Sequence, residues 1–410
     1  MKVPERARIV IIGGGICGAS VAYHLTERGI TDVVVLEQGD LISGTTSHAP
    51  GLVGQLRSSV TLTKMLMYSV SLYRTLEVDG TPGYFEVGGV RLASSKERLQ
   101  EIKQQSVFAE KVGLEAHLIT PSEALNLFPL MDATGLEGAL YLPSDGSATA
   151  PVLARALINR SQARGVTFCP NTRVQSLRVV NGQIKGVDTI NGAIETETLV
   201  MAVGIWSPLV AAMTGIAVPL TPMQHQYAAT NSLPELAGKT LPNLRDPDKL
   251  IYMRQRDDVL VIGGYERDPR VFSAQSIPDN ANPTVQQFDA DHFEPLRRAA
   301  AERVPVLKTA GFSQQVNGLE SFTADGEFLI GPSHQVRGLW AACGFCAHGV
   351  SGSGGVGKVL ADWIVDGKPE MDVSAMALDR FADQPLDTKT IEQKACQIYS
   401  TYYDLCQPVH

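Results

Sequence analysis

Three glycines near the start of the chain have the spacing of a phosphate-binding turn. Gly13, Gly15 and Gly18 form a G-x-G-x-x-G pattern that follows an apolar run at residues 8–12 and precedes a helix-like run at residues 19–25. The first glycine of such a turn bends the chain, the second lets backbone approach a pyrophosphate, and the third lets helix and strand pack closely. The N–H groups that begin the helix face the phosphate charge. The pattern predicts a dinucleotide site.

An acidic residue ends the second apolar run. Glu37 follows residues 32–36 and lies about 20 residues beyond the glycines, where a carboxylate accepts hydrogen bonds from the ribose hydroxyls of an adenosine. A carboxylate at this position disfavours the 2′-phosphate of NADP. These residues by themselves leave FAD and NAD as alternatives.

A long polar loop carrying a histidine follows Glu37. Residues 38–53 are small, polar and rich in turn formers, and a loop of this length is expected to wrap around a ligand. Taken alone, His48 in this loop would be a solvated side chain. The run SGTTSHAPGLVGQLRSS at residues 43–59 resembles the segment after the FAD fingerprint in the dimethylglycine and sarcosine dehydrogenase and oxidase group. That group is a branch of the glycine-oxidase-type, D-amino-acid-oxidase-like flavoproteins, and the resemblance covers nearly the whole chain.

The resemblance implies FAD as the cofactor and a covalent bond between the His48 imidazole and the 8α-carbon of the flavin. Such a bond withdraws electron density from the isoalloxazine and favours hydride acceptance from an unactivated amine. Arg57, on the same segment, could face a substrate carboxylate or lie at the surface. The residues predicted to contact FAD are Gly13, Gly15, Ile16, Gly18, Glu37, Gln38, Ser47, His48, Ala49, Gly51, Leu52, Val174, Gly204, Trp206, Gly349, Val350 and Ser351.

Two residues are candidates for chemistry on the substrate. His225 in PMQHQY and Tyr252 in LIYMRQ match the active-site histidine and tyrosine of the family, which lie near the substrate and govern its protonation. Without the resemblance, both would be core residues on alternating strands. His348 lies in a glycine-rich run, and two roles are open for it: a position near the flavin, or a structural or solvent-facing one.

The family transfers a hydride from a carbon beside nitrogen to flavin N5, and water converts the resulting iminium to an aldehyde. The resemblance implies a small secondary or tertiary amine as substrate, above all dimethylglycine or a sarcosine-like N-methyl amino acid, and oxygen or an electron-transfer partner as acceptor. Oxidation of another amino or imino acid, or of a biosynthetic amine, is one alternative. The other is a non-catalytic flavoprotein similar to the regulatory subunit of pyruvate dehydrogenase phosphatase.

Two domains must position these residues. The strand, turn and helix at the start predict an α/β (α+β) fold, with an FAD-binding Rossmann-like domain and an inserted mixed-sheet substrate-binding domain. Apolar periodicity predicts helices at residues 60–78 and 95–112 and a strand at residues 84–93. The predicted domains are residues 1–84, 145–219 and 321–385 for FAD, residues 85–144 and 220–320 for the substrate, and a C-terminal extension at residues 386–410.

Composition argues against several other classes. A formal net charge of −8 gives no basic surface for nucleic acid. Apolar runs such as residues 9–12 are far shorter than the roughly 20 residues of a membrane span, and the N-terminus has no apolar signal core, so a cytoplasmic location is expected. The pair Cys343 and Cys346 has no companion pair at zinc spacing, so no metal is expected. The oligomeric state is left open.

Overall fold

A computed structural model of the chain describes residues 2–277, 285–382 and 386–405. Side-chain caps begin several of the helices: the Ser95 hydroxyl accepts a hydrogen bond from the N–H of Arg98, and Thr120 and Glu123 form a reciprocal capping box. The α-helices are α1 (Ile16–Glu27), α2 (Val60–Tyr73), α3 (Lys96–Val112), α4 (Pro121–Leu127), α5 (Ala150–Gln162), α6 (Ser207–Ala212), α7 (Ala290–Arg303), α8 (Gly349–Asp366) and α9 (Thr388–Ser400).

Most strands belong to one of two large sheets. In chain order the strands are β1 (Ile9–Ile12), β2 (Val33–Leu36), β3 (Leu52–Val53), β4 (Glu77–Val78), β5 (Thr81–Pro82), β6 (Tyr84–Phe85), β7 (Gly89–Ala93), β8 (His117–Ile119), β9 (Gly138–Leu142), β10 (Gly146–Ala148), β11 (Thr167–Cys169), β12 (Val174–Val180), β13 (Gln183–Thr189), β14 (Gly192–Glu195), β15 (Leu199–Met201), β16 (Leu220–Thr230), β17 (Asn243–Asp246), β18 (Ile251–Arg256), β19 (Val259–Gly264), β20 (Val285–Gln286), β21 (Phe312–Thr323), β22 (Leu329–Pro332) and β23 (Leu339–Cys343).

The first large sheet is the nucleotide-binding type predicted from the glycine turn. Its order is β11-β2-β1-β15-β23-β22, and every pair is parallel except β22 with β23. All four side chains of β1 are buried because the sheet is covered on both faces. Ile9 and Ile11 pack with α1, α5 and α8, whereas Val10 and Ile12 pack with the three-stranded sheet β12-β13-β14.

The second large sheet is mixed, with nine strands in the order β20-β21-β16-β19-β18-β17-β7-β9-β8. Side chains alternate across it, so Ile251 and Met253 pack toward α7 while Tyr252 faces the opposite side. Strands from residues 89–142 and 220–323 build this sheet, which is why the second domain requires two separate segments of chain. The predicted fold class, a Rossmann-like domain with an inserted mixed-sheet domain, is confirmed.

Two local predictions need correction, and the C-terminal segment has a defined place. Helix α2 ends at Tyr73 rather than residue 78, because Asp79 and Gly80 adopt positive φ and turn β4 into a hairpin with β5. The strand predicted at residues 84–93 is two short strands, β6 and β7. Helix α9, within the predicted extension, packs against β16 and β21. Among the described residues, no helix combines the length and apolar character needed to cross a membrane.

Candidate active site

A cavity of about 500 Å³ is lined by residues of both large sheets. Its size falls within the range of small-molecule and cofactor sites, about 300–1,000 Å³. One end, the glycine end, is formed by the first turn of α1, the carboxyl end of β2, and residues 43–46 and 49–52. The other, the polar end, carries His225, Tyr252, Tyr265, Arg245 and Glu320.

The glycine end presents backbone and a few fixed polar groups. Gly13, Gly15 and Ile16 line it at the N-terminus of α1, and the Ile16 N–H donates to Thr46 Oγ1 at 3.1 Å. Glu37 Oε2 accepts from the Gly14 N–H at 2.8 Å, and Oε1 accepts from the N–H of Gly39 at 3.0 Å. Burial raises the pKa of Glu37, and these N–H groups offset part of that rise.

Most of the residues predicted to contact FAD line this one cavity. Those that do are Gly13, Gly15, Ile16, Glu37, Gln38, Ala49, Gly51, Leu52, Val174, Gly204, Trp206, Gly349, Val350 and Ser351. Gly18, Ser47 and His48 lie outside the lining. A Cβ on Gly18 would lie 1.9 Å from the carbonyl oxygen of Gly13, so this glycine sets the approach of helix to strand. Ser47 is exposed, and its hydroxyl donates to the Gly44 carbonyl at 2.9 Å.

His48 packs against the edge of the second domain. It ends a 3₁₀ turn, Thr45–His48, directly before Ala49, which lines the cavity. The ring lies on Gly318 of β21, where a Cβ would come within 2.6 Å of Nε2, so only glycine leaves room for the imidazole. Burial lowers the pKa of His48 to about 4, which keeps the ring neutral.

At the polar end, His225 and Tyr252 are in direct contact. The Tyr252 hydroxyl lies 2.8 Å from His225 Nε2, and the hydroxyl of Tyr399 lies 2.9 Å from Nδ1. Tyr399 also donates to Glu266 Oε2 at 2.6 Å. Burial, with a smaller contribution from His48, lowers the pKa of His225 to about 4, so its ring is neutral at ordinary pH.

Glu320 is the functional candidate that sequence reasoning missed. It lines the cavity from β21, paired across from Met223, two residues along the strand from His225. Its Oε2 atom is buried and has no hydrogen-bond partner among the described residues. Burial raises the pKa of Glu320 to about 7. The sequence offered one signal for this residue: Glu320 is a single acid among uncharged residues, in the run NGLESFT.

An arginine and two tyrosines at the polar end were also not predicted from the sequence. Arg245 lines the cavity beside Tyr252, its partner in the β17–β18 pair. The Tyr265 and Tyr402 rings stack at 3.9 Å between centroids, and the Tyr265 ring lies 5.2 Å from the His225 ring. These residues come from segments too distant in sequence for any motif to join them.

His348 lines the cavity, and Arg57, which does not line it, contacts His348. Arg57 Nη2 lies 3.1 Å from His348 Nδ1 and must be the donor, because a guanidinium has no acceptor. Since Nδ1 accepts, the neutral His348 ring carries its hydrogen on Nε2. That hydrogen points to the Tyr402 hydroxyl oxygen, 2.8 Å away. The Tyr402 O–H is therefore left to donate into the cavity. Burial lowers the pKa of His348 well below its ordinary value, and Arg57 adds to the effect.

The family assignment follows from a match over most of the chain. The sequence profile of the FAD dependent oxidoreductase (DAO) family matches residues 8–363, from the strand before the glycine turn to helix α8. The chain belongs to this family. The membership predicted from the sequence is thereby confirmed, and FAD is the cofactor class that the family implies.

Several known proteins of this family are similar to the chain. Sarcosine dehydrogenase from Mus musculus is 34% identical over 99% of the chain and 45% of the relative, and dimethylglycine dehydrogenase from Rattus norvegicus is 35% identical over 96% and 47%. The pyruvate dehydrogenase phosphatase regulatory subunit of Mus musculus is 32% identical over 100% and 47%. The chain thus spans about half the length of these curated relatives. The solved structure of L-proline dehydrogenase from P. horikoshii is 26% identical, with a TM-score of 0.83, covering 94% of this chain and 100% of that one.

Proposed function

We propose that the chain oxidises the C–N bond of a small secondary or tertiary amine with FAD, the substrate being an N-methyl amino acid such as sarcosine or dimethylglycine. One observation carries this proposal. The cavity that begins at the glycine turn ends at a buried carboxylate, Glu320, whose Oε2 atom has no partner among the described residues. An unpartnered buried carboxylate is costly unless a cation or donor meets it, and a substrate ammonium is such a group.

The glycine end has the features that FAD requires. Gly15 lines the cavity with room for backbone to approach a pyrophosphate, and the first turn of α1 supplies positive charge to it. The Glu37 carboxylate accepts backbone N–H groups from Gly14, Gln38 and Gly39, and of its roughly four lone-pair sites one is left for a ribose hydroxyl. When bound, FAD would supply the two-electron acceptor for the carbon beside the amine nitrogen.

The polar end has groups for both charges of an amino acid. Arg245 offers a guanidinium fork, which matches a carboxylate, and the free O–H of Tyr402 can add a donor. Glu320 and the side chains of Tyr252 and Tyr265 line this end and suit a methylated ammonium, because a carboxylate pairs with a cation and aromatic rings attract cations of this kind. This division of charge supports an amino acid over a neutral amine.

The chain must also deliver a neutral nitrogen, since only an amine with a free lone pair can expel a hydride. Tyr252 and His225 are the residues placed to hold the ammonium proton at the Tyr252 oxygen. The neutral state of His225 leaves one ring nitrogen able to accept a hydrogen from Tyr252. Water enters only afterwards, to hydrolyse the iminium to an aldehyde.

The covalent link through His48 is part of this proposal. A neutral imidazole is the nucleophile that such a bond needs, and burial keeps the ring neutral. Its neighbour Ala49 lines the cavity, while the ring itself lies against Gly318. We expect acid-precipitated protein to remain yellow and His48→Ala to release all of the flavin into the supernatant. Wild-type precipitate without colour would rule out the link.

An anaerobic amine panel tests the function. Purified holoprotein is mixed with sarcosine, dimethylglycine and other amino and imino acids, and flavin absorbance is followed. We expect bleaching with an N-methyl amino acid, and reoxidation in air then separates an oxidase from an enzyme that needs an electron-transfer partner. Absence of bleaching with every amine would favour the alternative of a non-catalytic regulatory flavoprotein. The 32% identity to the pyruvate dehydrogenase phosphatase regulatory subunit supports that alternative.

A further inference from the structure

A line of hydrogen bonds leads away from the cavity to a second buried carboxylate. Tyr252, His225, Tyr399 and Glu266 are joined by contacts of 2.8, 2.9 and 2.6 Å. All four residues are buried. They come from β18, β16, α9 and the segment after β19, so the line exists only in the folded chain. Nothing in the proposed function above uses Tyr399 or Glu266.

The hydrogen positions along this line run in one direction. Tyr399 donates its only hydrogen to the Glu266 carboxylate, so its oxygen must accept from His225 Nδ1–H. A neutral imidazole has one N–H, which leaves Nε2 to accept from the Tyr252 hydroxyl. The Tyr252 oxygen then has lone pairs, and no hydrogen, to offer to the cavity. A substrate N–H is the group that such an oxygen can receive.

We propose that Glu266 is the proton acceptor for the substrate ammonium, reached through Tyr252, His225 and Tyr399. The inference rests on the proposed amine oxidation and adds a residue for its proton. The ammonium N–H bond breaks and its proton passes to the Tyr252 oxygen, while the Tyr252 proton moves to His225 Nε2. The Nδ1 proton moves to Tyr399, and the Tyr399 proton forms an O–H bond on Glu266. No electrons leave the amine in these steps.

Glu266 suits this role better than His225 does. Burial raises the pKa of Glu266 to about 7, which allows the carboxyl to take up and release a proton near neutral pH, whereas the His225 ring holds no extra proton there. The second oxygen of Glu266, Oε1, is buried and lies 4.0 Å from His292 Nε2. The His292 side chain is 12% exposed and lies on α7, so it offers a way to solvent.

The titratable groups around the line include one further carboxyl, Glu320, which adds to the rise that burial causes in the pKa of both Tyr252 and Tyr399. Those that face Glu266 are Tyr399, His292 and Arg270, and those that face His225 are Tyr252, Tyr265, Tyr399 and His48. Burial holds the pKa of each of these three tyrosines well above 10, and that of each of the three histidines below its ordinary value. Two carboxyls, Glu266 and Glu320, are left to titrate near pH 7. Glu320 lines the cavity and is unchanged in every variant below, so differences between their pH profiles report on Glu266.

The test compares pH profiles of anaerobic flavin reduction by an N-methyl amino acid in wild type, Glu266→Gln and Tyr399→Phe. The glutamine can still accept the Tyr399 hydrogen bond but cannot take a proton. We expect the rate at pH 7 to fall by about 100-fold in both variants. It should recover as the pH approaches about 10.4, where an alkyl ammonium loses its proton in solution. Glu266→Asp should restore part of the rate at pH 7.

Tyr403→Phe is the matched control. Tyr403 packs on the same Tyr265 ring, 5.2 Å between centroids, but its hydroxyl lies outside the line. Because the Tyr403 hydroxyl acts on Arg245, its loss can change substrate affinity, but at saturating substrate the variant should keep the shape of the wild-type pH profile. Profiles for Glu266→Gln and Tyr399→Phe that match wild type, or that fall by one factor at every pH, would overturn the proposal and leave amine oxidation standing. If either variant fails to fold, the other and Glu266→Asp still decide.

A measurement without substrate separates this inference from the proposed function. Infrared spectra of the holoprotein, wild type minus Glu266→Gln, should show a carboxylic acid band that disappears as the pH rises through about 7. A band that titrates near the ordinary glutamate value of about 4.3 would contradict the inference even if every amine bleaches the flavin. A wild-type protein that no amine bleaches would overturn the proposed function and, with it, the role of Glu266, whatever the infrared band shows.

Discussion

The two ends of the cavity are built from different parts of the polypeptide. At the glycine end, backbone atoms of Gly13, Gly15 and Ile16 form the surface, and they are neighbours in sequence. At the polar end, side chains such as His225 and Glu320 form it, brought together by strand register. The glycine end depends on close approach of main-chain segments, so an atom added at a residue such as Gly18 would disrupt it. The polar end depends on charge and hydrogen bonding, so changes that preserve shape can still abolish its use.

The largest effect is expected at the glycine end. Gly18→Ala adds a Cβ 1.9 Å from the Gly13 carbonyl oxygen, and main chain cannot rotate away as the end of a side chain could. We expect the free energy of unfolding to fall by about 3 kcal/mol and flavin content to drop by more than about tenfold. Thermal unfolding and flavin absorbance measure both.

Gly138→Ala is its control, since the added Cβ would meet the end of the Leu99 side chain at 3.0 Å and the Ile119 carbonyl oxygen at 3.4 Å, an ordinary van der Waals distance. It should keep both flavin and stability. Loss of neither property in Gly18→Ala would mean that main-chain approach does not limit the glycine end.

The next effect belongs to charge at the polar end. Glu320→Gln preserves shape but removes the negative charge that we assign to the substrate ammonium. Affinity for an N-methyl amino acid should fall by about 10- to 100-fold, the loss of a charge-assisted hydrogen bond, while stability stays the same or rises. Perturbation of the flavin spectrum during anaerobic titration gives the dissociation constant.

Glu327→Gln provides the comparison for Glu320. This glutamate is also partly buried, with an Oε2 that lacks a partner among the described residues, but it does not line the cavity. Its substitution should leave affinity unchanged. Equal affinities in the two variants would remove Glu320 from the substrate site.

A smaller effect is expected from geometry at constant charge. Arg245→Lys keeps the positive charge and loses the planar fork, so affinity for the amino acid should fall by about fivefold to tenfold. An amine without a carboxylate should bind both proteins equally. Arg256→Lys, at a half-buried arginine that donates to Gln314 and does not line the cavity, is the control. Weaker binding of every amine in Arg245→Lys would point to a packing role instead.

The sequence predicted the glycine end in most of its detail. The G-x-G-x-x-G spacing, Glu37 and the loop that follows are contiguous, so their geometry is set by local chain conformation. The role of His48 stays a prediction, because its ring packs on Gly318, 270 residues away, and no local pattern describes that contact. The domain boundaries and the individual site roles also stay predictions.

Glu320 and Tyr399 show why the polar end was only partly predicted. His225 and Tyr252 were predicted from the family resemblance. Glu320 could not be, because it comes close to them only when β21 pairs with β16. Tyr399 lies in a segment that the sequence suggested was an extension, yet α9 packs on the same two strands and places its hydroxyl on His225.

By itself, the sequence determined the fold class, the family and the place of the glycine turn between β1 and α1, since these depend on residue spacing within one strand, turn and helix. The tertiary structure decided which charged and hydroxyl groups share the far end of the cavity and which carboxylate lies behind His225. Their pKa values and hydrogen-bond directions come from burial and from partners on distant strands, and neither quantity exists before the chain is folded.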